Sequence, residues 1–402
     1  AQIERVLETD ISFLEISIRK SHRQNVTLFA YHLVVSLSEF QGNRDRSLRR
    51  AMLRSTIHLF EVQELQNDIE KSMFPRLVAC HMEFSEQKRR NFVRDILSCC
   101  CDASNSRNSL RAAIFFLRFT RQARCLGSSS FCHFLLREIL NVMEVNRINN
   151  KMLVLLETEN KDGGDLELER ISVLLNVVCA VICKHELTSE MSCVLKRLVP
   201  SIARACVNIF LHGHHHQNFV FASIEILRIS LIHANFFKDA WSPMPEKMLR
   251  LLSDIAFRFS DRITHTCVRV FTQLCDIIKT EENNTDSSLI RTVREDVRDF
   301  FRHDRFVSGT GAHASHHVAI ASLDFVRSFL SNTYMSDGIF PNDDTFADIS
   351  SRRLLLNVQR NVLVSDHSRR QCARKALEAL CSLKSNFRRQ PWFRFVSRLD
   401  LS

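Results

Sequence analysis

Apolar residues recur at the spacing of an α-helix along most of this chain. The clearest stripe lies within Asp366–Leu383, after an acidic residue that starts the helix, and consists of Ala373, Ala376, Leu377 and Leu380. A turn at Ser365–His367 connects it to an earlier stripe, which consists of Leu354, Leu355, Val358 and Val362. Because neither helix can bury its stripe alone, the pattern predicts an antiparallel helix pair that stacks on neighbouring pairs.

The same pattern predicts helices in both halves of the chain. The N-terminal ones are Val26–Phe40 (ended by Gly42), Leu48–Leu59, Glu86–Cys100, a helix opened by Asn105, and Phe131–Asn146. In the C-terminal half, stripes begin at Val220, Ile263 and Val318. Helix starts near 218, 261, 315 and 366 lie about 43–54 residues apart, close to the ~40–47 of HEAT and armadillo repeats. The predicted fold is all-α, an irregular armadillo/HEAT-type α-solenoid built as a curved right-handed stack.

One segment interrupts the helical pattern. Glu157–Glu169 is polar, acidic and aperiodic, and it contains Gly163 and Gly164, so we predict a loop there. The following segment, Ile171–Cys183, is apolar on nearly all sides, as expected of a central helix. The predicted organisation is therefore N-terminal helical repeats over 1–156, an acidic loop over 157–170, and C-terminal helical repeats over 171–402 with a basic, aromatic cap.

Composition agrees with a helical intracellular protein. Eight Gly and six Pro are too few for a sheet protein with many tight turns. Of the fourteen Cys, these six lie in apolar helical stripes: Cys179, Cys183, Cys267, Cys275, Cys372 and Cys381. Free Cys of this kind behaves as a small buried hydrophobe and indicates a reducing compartment, nuclear or cytoplasmic, with the nucleus favoured. The longest apolar run is shorter than the ~20 residues of a membrane span, so no membrane association is predicted.

Three groups of residues could carry chemistry. The histidines could bind a metal on a helix, but without an HExxH pairing they are better explained as solvated turns: His212, His214, His215, His216, His313, His316 and His317. Cys99–Cys101 are consecutive, so their side chains cannot easily bind one ion together, and no CxxC pair occurs. A zinc site is therefore not predicted. Ser308–Gly311 (SGTG) lacks the strand, helix and Lys of a phosphate-binding loop, so we predict a plain loop. The sequence therefore predicts no enzyme, with no catalytic, cofactor-binding or metal-binding residue and no cofactor.

Basic clusters are the most informative feature. The net charge is +10, and residues 351–402 hold twelve Arg or Lys against three Asp or Glu, which is +9 and leaves +1 for the rest. Three clusters precede this basic end: Arg44–Arg54, Lys88–Arg94 and a helical stripe over Arg107–Arg121. The predicted binding residues for a protein partner or a nucleic acid are Arg107, Arg111, Arg118, Arg121, Arg369, Arg370, Arg374, Lys375, Arg388, Arg389, Arg394 and Arg398. For each cluster the competing interpretation is a solvated face that only maintains solubility.

Three features occur in order toward the end of the chain: Ile320–Ser322 opening the helix Leu323–Leu330, the pair around Asp366–Leu383, and the aromatic segment Trp392–Phe395. From His317 onward the chain thereby resembles the C-terminal part of a meiotic armadillo-like family, the animal meiosis-inhibitor and plant "putative recombination initiation defect" proteins. The resemblance implies a non-catalytic scaffold for the machinery that makes programmed meiotic DNA breaks. Members of that family are much longer, so this chain would be a portion or a divergent short form.

The functional prediction is a non-enzymatic helical-repeat scaffold that binds other proteins along the solenoid surface. The alternative is an adaptor in RNA processing or nuclear transport that binds DNA, RNA or an acidic peptide through the basic C-terminal end. The absence of a regular Asn or Trp ladder argues against an importin-like peptide groove. An enzyme would gain support only if the histidine clusters converged around a carboxylate.

Overall fold

The computed structural model describes residues 50–51, 53–54, 57, 82–101, 106–121, 128–143, 161–183, 188–211, 216–231, 245–256, 258–280, 288–311, 314–332, 335 and 349–382. Within these ranges the regular structure is helical and contains no strand, which confirms the all-α prediction. The helix predicted over Val26–Phe40 and most of that over Leu48–Leu59 lie outside the described residues.

The helices are numbered in chain order. Their bounds are α1 Glu86–Cys100, α2 Ser106–Arg121, α3 Ser129–Val142, α4 Lys161–Ile182, α5 Ser189–Leu211, α6 Gln217–Leu231, α7 Pro245–Ile255, α8 Asp261–Thr280, α9 Ser288–Arg302, α10 Asp304–Gly309, α11 His316–Leu330, α12 Ile349–Val362 and α13 His367–Ser382. The chain forms two compact units, Ala1–Ile226 and Leu227–Ser402, whose division falls within α6.

The first unit contains two rows of helices. One row is α1, α3 and α5, each packing on the next, and the other is α2 packing on α4. The rows join where α1 meets α2 and α3 meets α4. Phe92 of α1 and Phe119 of α2 are buried and lie edge to face, with ring centroids 5.7 Å apart, an arrangement that aromatic pairs favour.

The predicted loop over 157–170 is wrong from Lys161 onward, because α4 begins there. Arg170 pairs with Glu167 one turn earlier, and its Nη1 donates to the Cys100 carbonyl oxygen at 2.8 Å. Leu168 and Arg170 are both buried, and α4 packs on α2. Tertiary contacts therefore stabilise a helix in a segment whose acidic composition is typical of a loop. The two units divide at Ile226, not near this segment. The rest of α4 is buried on nearly all sides, which confirms the predicted central helix.

The second unit also contains two rows. In one, which we call the α8–α11–α13 row, α8 packs on α11 and α11 packs on α13. In the other, α7 packs on α9, α9 on α10 and α10 on α12. The rows join through the pairs α7–α8, α8–α9, α10–α11 and α12–α13.

Phenylalanine rings fill the space between these rows. Phe271 stacks on Phe300 at 3.8 Å between centroids, and Phe301 stacks on Phe329 at 4.0 Å. Phe325 lies among them, 5.4 Å from Phe300. A phenyl ring supplies this volume without a hydroxyl that would need a buried partner, which accounts for the use of Phe in this core.

The α12–α13 pair forms close to where the pattern predicts it. Helix α12 ends at Val362 and α13 begins at His367, so the connection starts earlier than the predicted turn. Asp366 caps α13, because its Oδ1 accepts a hydrogen bond from the Arg369 backbone N–H at 2.8 Å. Ala373, Ala376 and Leu377 are buried as predicted, while the Leu380 side chain lies outside the description.

Candidate interaction surfaces

Helix α2 carries an arginine stripe, Arg107, Arg111, Arg118 and Arg121, as the sequence predicts. Three of these side chains are exposed and Arg111 is half-buried, and the stripe is about 21 Å long at 1.5 Å per residue. The other side of α2 is apolar and buried against α1 and α4, with Ala112, Ala113, Phe115, Phe116 and Phe119 in the core. The α2 arginine stripe is therefore a positive ridge on a packed helix.

The basic cluster on α1 is used for internal packing. The guanidinium groups of Arg90 and Arg94 each lie 5.0 Å from the Phe134 ring centroid on α3. Arg90 also donates to the Ser130 hydroxyl at 3.0 Å, and Arg94 lies 3.5 Å from Glu138. These contacts join α1 to α3 through cation–π and polar interactions.

Arg369 is among the predicted binding residues, but the structure places it inside the fold. It is only 6% exposed. Its Nε donates to the Asn361 Oδ1 at 2.6 Å, its Nη2 to the Gly311 carbonyl at 2.9 Å, and its Nη1 to the Ala314 carbonyl at 3.5 Å. Because the guanidinium donors are used inside the fold, Arg369 does not belong to a binding surface. Burial lowers the pKa of Arg369, and the charge of Asp366 opposes that shift.

Arg369 is one member of a polar clamp, which we define as Asn357, Asn361 and Arg369 acting on residues 307–314. Asn357 donates to the Val307 carbonyl at 2.8 Å, and Asn361 donates to the Thr310 carbonyl at 2.7 Å. Carbonyls at the end of a helix lack backbone partners inside it, so these two asparagines of α12 take over that role. The Thr310 hydroxyl also donates to the Val307 carbonyl, at 2.6 Å.

The predicted SGTG loop lies inside this clamp. Ser308 and Gly309 end α10, and Thr310 and Gly311 follow it. A Cβ atom at Gly311 would lie 3.1 Å from the Ser308 carbonyl oxygen, closer than most real contacts. A side chain at this position would therefore require the backbone at Ser308 to shift by a few tenths of an ångström.

The remaining predicted residues divide into two groups. On α13, Arg374 and Lys375 are exposed and Arg370 is half-buried. The other four lie outside the described residues: Arg388, Arg389, Arg394 and Arg398. The structure thus places two exposed cations of the predicted basic end on α13.

The sequence analysis did not identify a mixed-charge surface along the α8–α11–α13 row. Asp324 and Arg327 of α11 form an ion pair at 2.7 Å. Partial burial raises the pKa of Asp276 on α8, and the charge of Asp324 adds to that rise. Burial also raises the pKa of Cys372 on α13, again with a contribution from Asp324, while Lys375 opposes it. The sequence signal that could have revealed this surface is the set of charged positions between the apolar stripes of the three helices.

Histidines extend this surface toward the start of α11. The His265 and His317 ring centroids are 6.3 Å apart, and the His316 Nδ1 lies 3.6 Å from the Asp366 Oδ2. Of the remaining predicted histidines, only His216 is described. The others lie outside the described residues: His212, His214, His215 and His313. Among the described residues, no group of three His, Cys, Asp or Glu side chains could hold a metal ion.

The described cysteines differ in their exposure. Cys179, Cys267 and Cys275 are buried, as the pattern predicts, whereas Cys183 is exposed and Cys372 is half-buried. The consecutive set behaves differently residue by residue: Cys99 and Cys100 are buried and Cys101 is exposed. Burial raises the pKa of Cys132 to about 11 and that of Cys206 to about 12.

Two comparisons of the sequence with known proteins gave no match. Neither a protein-family model nor a curated protein sequence matches the chain. In the part of the chain that the structure describes, no helix has both the length and the apolar character needed to cross a membrane.

Proposed function

We propose that this protein is a non-catalytic scaffold of the α-solenoid type, which holds protein partners along rows of stacked helices. The observation that carries the proposal is the α8–α11–α13 row, in which each helix packs on the next and is joined to a second row behind it. Stacked helix pairs of this kind give an extended surface whose length grows with the number of pairs.

The chemistry of the row supports protein recognition. Both signs of charge lie on neighbouring helices, with Asp276 on α8, the Asp324–Arg327 pair on α11 and Lys375 on α13. Mixed charges set orientation and partner choice at protein interfaces. A single-sign surface for phosphate would not include the two carboxylates.

The test is a charge swap on this surface in the full chain. Asp324→Lys combined with Lys375→Glu keeps the net charge and changes only its pattern. The matched control is Arg291→Glu with Glu295→Arg, which swaps an exposed ion pair on α9, where the two side chains are 79% and 65% exposed. Tagged wild-type and variant proteins are compared by quantitative affinity purification.

We expect a defined set of proteins to be lost from the row variant and retained by the α9 control. If the two variants retain the same set as the wild type, the α8–α11–α13 row is not the binding surface. If no protein is enriched with the wild type over the tag alone, the scaffold proposal fails.

A narrower proposal places the scaffold in the machinery that makes meiotic DNA breaks. It is supported by the resemblance of the segment from His317 onward. Purification of the tagged chain from meiotic cells tests it: co-purification of break-forming factors supports it, and their absence from a preparation that enriches other partners contradicts it.

The second candidate is a nucleic-acid-binding adaptor in RNA processing or transport, favoured by the α2 arginine stripe. Four phosphate contacts would give a slope of about −3.6 for log K against log salt on duplex DNA, at about −0.9 per contact. Arg107→Glu with Arg118→Glu should reduce that slope to about −1.8. Unchanged binding in this variant, or no binding at low salt, excludes the stripe as a phosphate site.

A further inference from the structure

Helix α12 and the residue that directly follows it expose two leucines on one side. Leu363 is 80% exposed and Leu356 is 49% exposed, the largest exposures of apolar side chains among the described residues of the second unit. Leu363 is held in place, because its N–H donates to the Arg360 carbonyl at 3.1 Å and closes the last turn. Removing large apolar side chains from water is favourable, so a partner that covered both leucines would gain binding free energy.

The leucines alternate with arginines. Arg353, Leu356, Arg360 and Leu363 are spaced by three, four and three residues, so they span about 80° of the helix surface. All four are exposed. We call this set the α12 stripe, and it is about 15 Å long.

The opposite face of α12 is fixed within the fold. Leu354 and Val358 are buried, and Asn357 and Asn361 are held in the polar clamp by residues 307–310. The Arg369 Nε of α13 donates a hydrogen bond to the Asn361 Oδ1. The stripe therefore sits on a helix that a partner would not have to order, which reduces the entropic cost of binding.

The charge of α12 identifies the chemistry of the occupant. Its sequence, ISSRRLLLNVQRNV, contains three Arg and no Asp or Glu. Within the described residues, no carboxylate lies at ion-pair distance from Arg353 or Arg360. An apolar pair between cations matches a helix with Leu-type residues on one face and Asp or Glu beside them.

Other occupants fit less well. The basic segment 383–402 carries five Arg or Lys against one Asp, so it would be repelled by the stripe. A second copy of the same stripe would bring like charges together. A nucleic-acid backbone would pair with the arginines but would leave both leucines without an apolar partner.

We propose that the α12 stripe docks an acidic amphipathic helix of a partner protein, with Leu356 and Leu363 packing on its apolar face and Arg353 and Arg360 pairing with its carboxylates. This surface is separate from the α8–α11–α13 row, so the proposal goes beyond the function proposed above. The partner helix needs apolar residues at i, i+3 or i+4, and i+7, because the two leucines are seven residues apart.

The test uses a fluorescently labelled peptide of about 18 residues, long enough to form a helix on binding. The probe contains Leu at i, i+3, i+4 and i+7 positions and Glu elsewhere. One control peptide replaces each Glu with Lys, and a second keeps the composition but scrambles the Leu positions. Binding to the full chain is measured by fluorescence anisotropy with the peptide at nanomolar concentration.

We expect saturable binding of the acidic peptide that weakens with salt, and at least tenfold weaker binding of both control peptides. Leu356→Ser with Leu363→Ser should weaken binding of the acidic peptide by tenfold or more. Arg353→Glu with Arg360→Glu should weaken its binding by a similar factor. The matched charge control is Arg269→Glu with Arg302→Glu, two exposed positions on α8 and α9, and it should bind as the wild type does. Thermal unfolding of every variant verifies that the fold is kept, since the substituted side chains are exposed.

Four results would overturn the proposal. These are no saturable binding, equal binding of the Lys or scrambled peptide, equal loss in the Arg269/Arg302 control, and dimerisation of the chain that the leucine variant abolishes. Binding of duplex RNA or DNA that depends on Arg353 and Arg360 but not on the leucines would likewise assign the face to phosphate. Loss of binding in the Arg269/Arg302 control would show that the peptide responds to positive charge in general and not to the α12 stripe.

Discussion

Arg369→Ala provides the sharpest test of the fold. The substitution removes the donors that serve the Asn361 Oδ1 at 2.6 Å and the Gly311 carbonyl at 2.9 Å. Asn361 is fully buried, so water cannot replace the lost hydrogen bond at its Oδ1. A buried polar group left without a partner costs about 1–3 kcal/mol.

Gly311 is only half-buried, so its carbonyl should lie at the low end of that range. Relief from burying a charged guanidinium offsets part of the loss. We therefore expect Arg369→Ala to reduce the free energy of unfolding by about 2–4 kcal/mol. Arg369→Lys should lose about half as much, because an ammonium group cannot donate along a planar fork to separate acceptors.

The assay is urea unfolding of the full chain followed by circular dichroism. Arg374→Ala is the matched control, since Arg374 lies on the same helix and is exposed; it should change stability by less than about 0.5 kcal/mol. If Arg369→Ala and Arg374→Ala destabilise the protein equally, the clamp does not stabilise the fold and Arg369 returns to the surface candidates.

Four further predictions concern packing, thiol reactivity and pH. Leu377→Ala should cost roughly 2–5 kcal/mol, because Leu377 is 1% exposed; a thermal shift near zero would contradict the buried stripe. Gly311→Ala should destabilise by about 1 kcal/mol, because its Cβ would meet the Ser308 carbonyl at 3.1 Å; equal or higher stability in urea would contradict this. Iodoacetamide at pH 8 should label the exposed Cys101 well before Cys132 and Cys206, whose pKa values are raised to about 11 and about 12. Since burial raises these two pKa values in the folded state, their contribution to stability is complete below about pH 9 and is lost as the pH rises through about 11 for Cys132 and about 12 for Cys206. Mass spectrometry measures the labelling, and a pH series of unfolding midpoints measures the loss of stability.

Much of the helical architecture follows from the sequence. The pattern gives α1 its bounds because Ser85 caps the helix, accepting from the Lys88 N–H at 3.4 Å, and because its apolar positions are regular. It fails at α4, whose first turns contain Gly and acidic residues that composition assigns to a loop. That segment is stabilised by packing of α4 on α2 and by the hydrogen bond from Arg170 to the Cys100 carbonyl. Such long-range contacts cannot be read from a short stretch of sequence.

The surface was harder to predict than the core. Arg369 lies four residues before Ala373 and therefore on the buried side of α13, so its position in the stripe could have separated it from Arg374. The α1 arginines carry no such signal, because their use depends on Phe134 of another helix. Charge counts alone therefore cannot distinguish cations that bind partners from cations that join helices.

The polar clamp also determines how the last helices open. Its donors lie on α12 and α13 and its acceptors lie at the end of α10, so α10 loses these hydrogen bonds whenever the final pair separates from it. Local opening would then involve all three helices as one cooperative unit, with similar amide exchange rates across them. When the three helices open together, the residues of the α12 stripe lose their native arrangement in a single step. Binding of a partner at this stripe is then all-or-none.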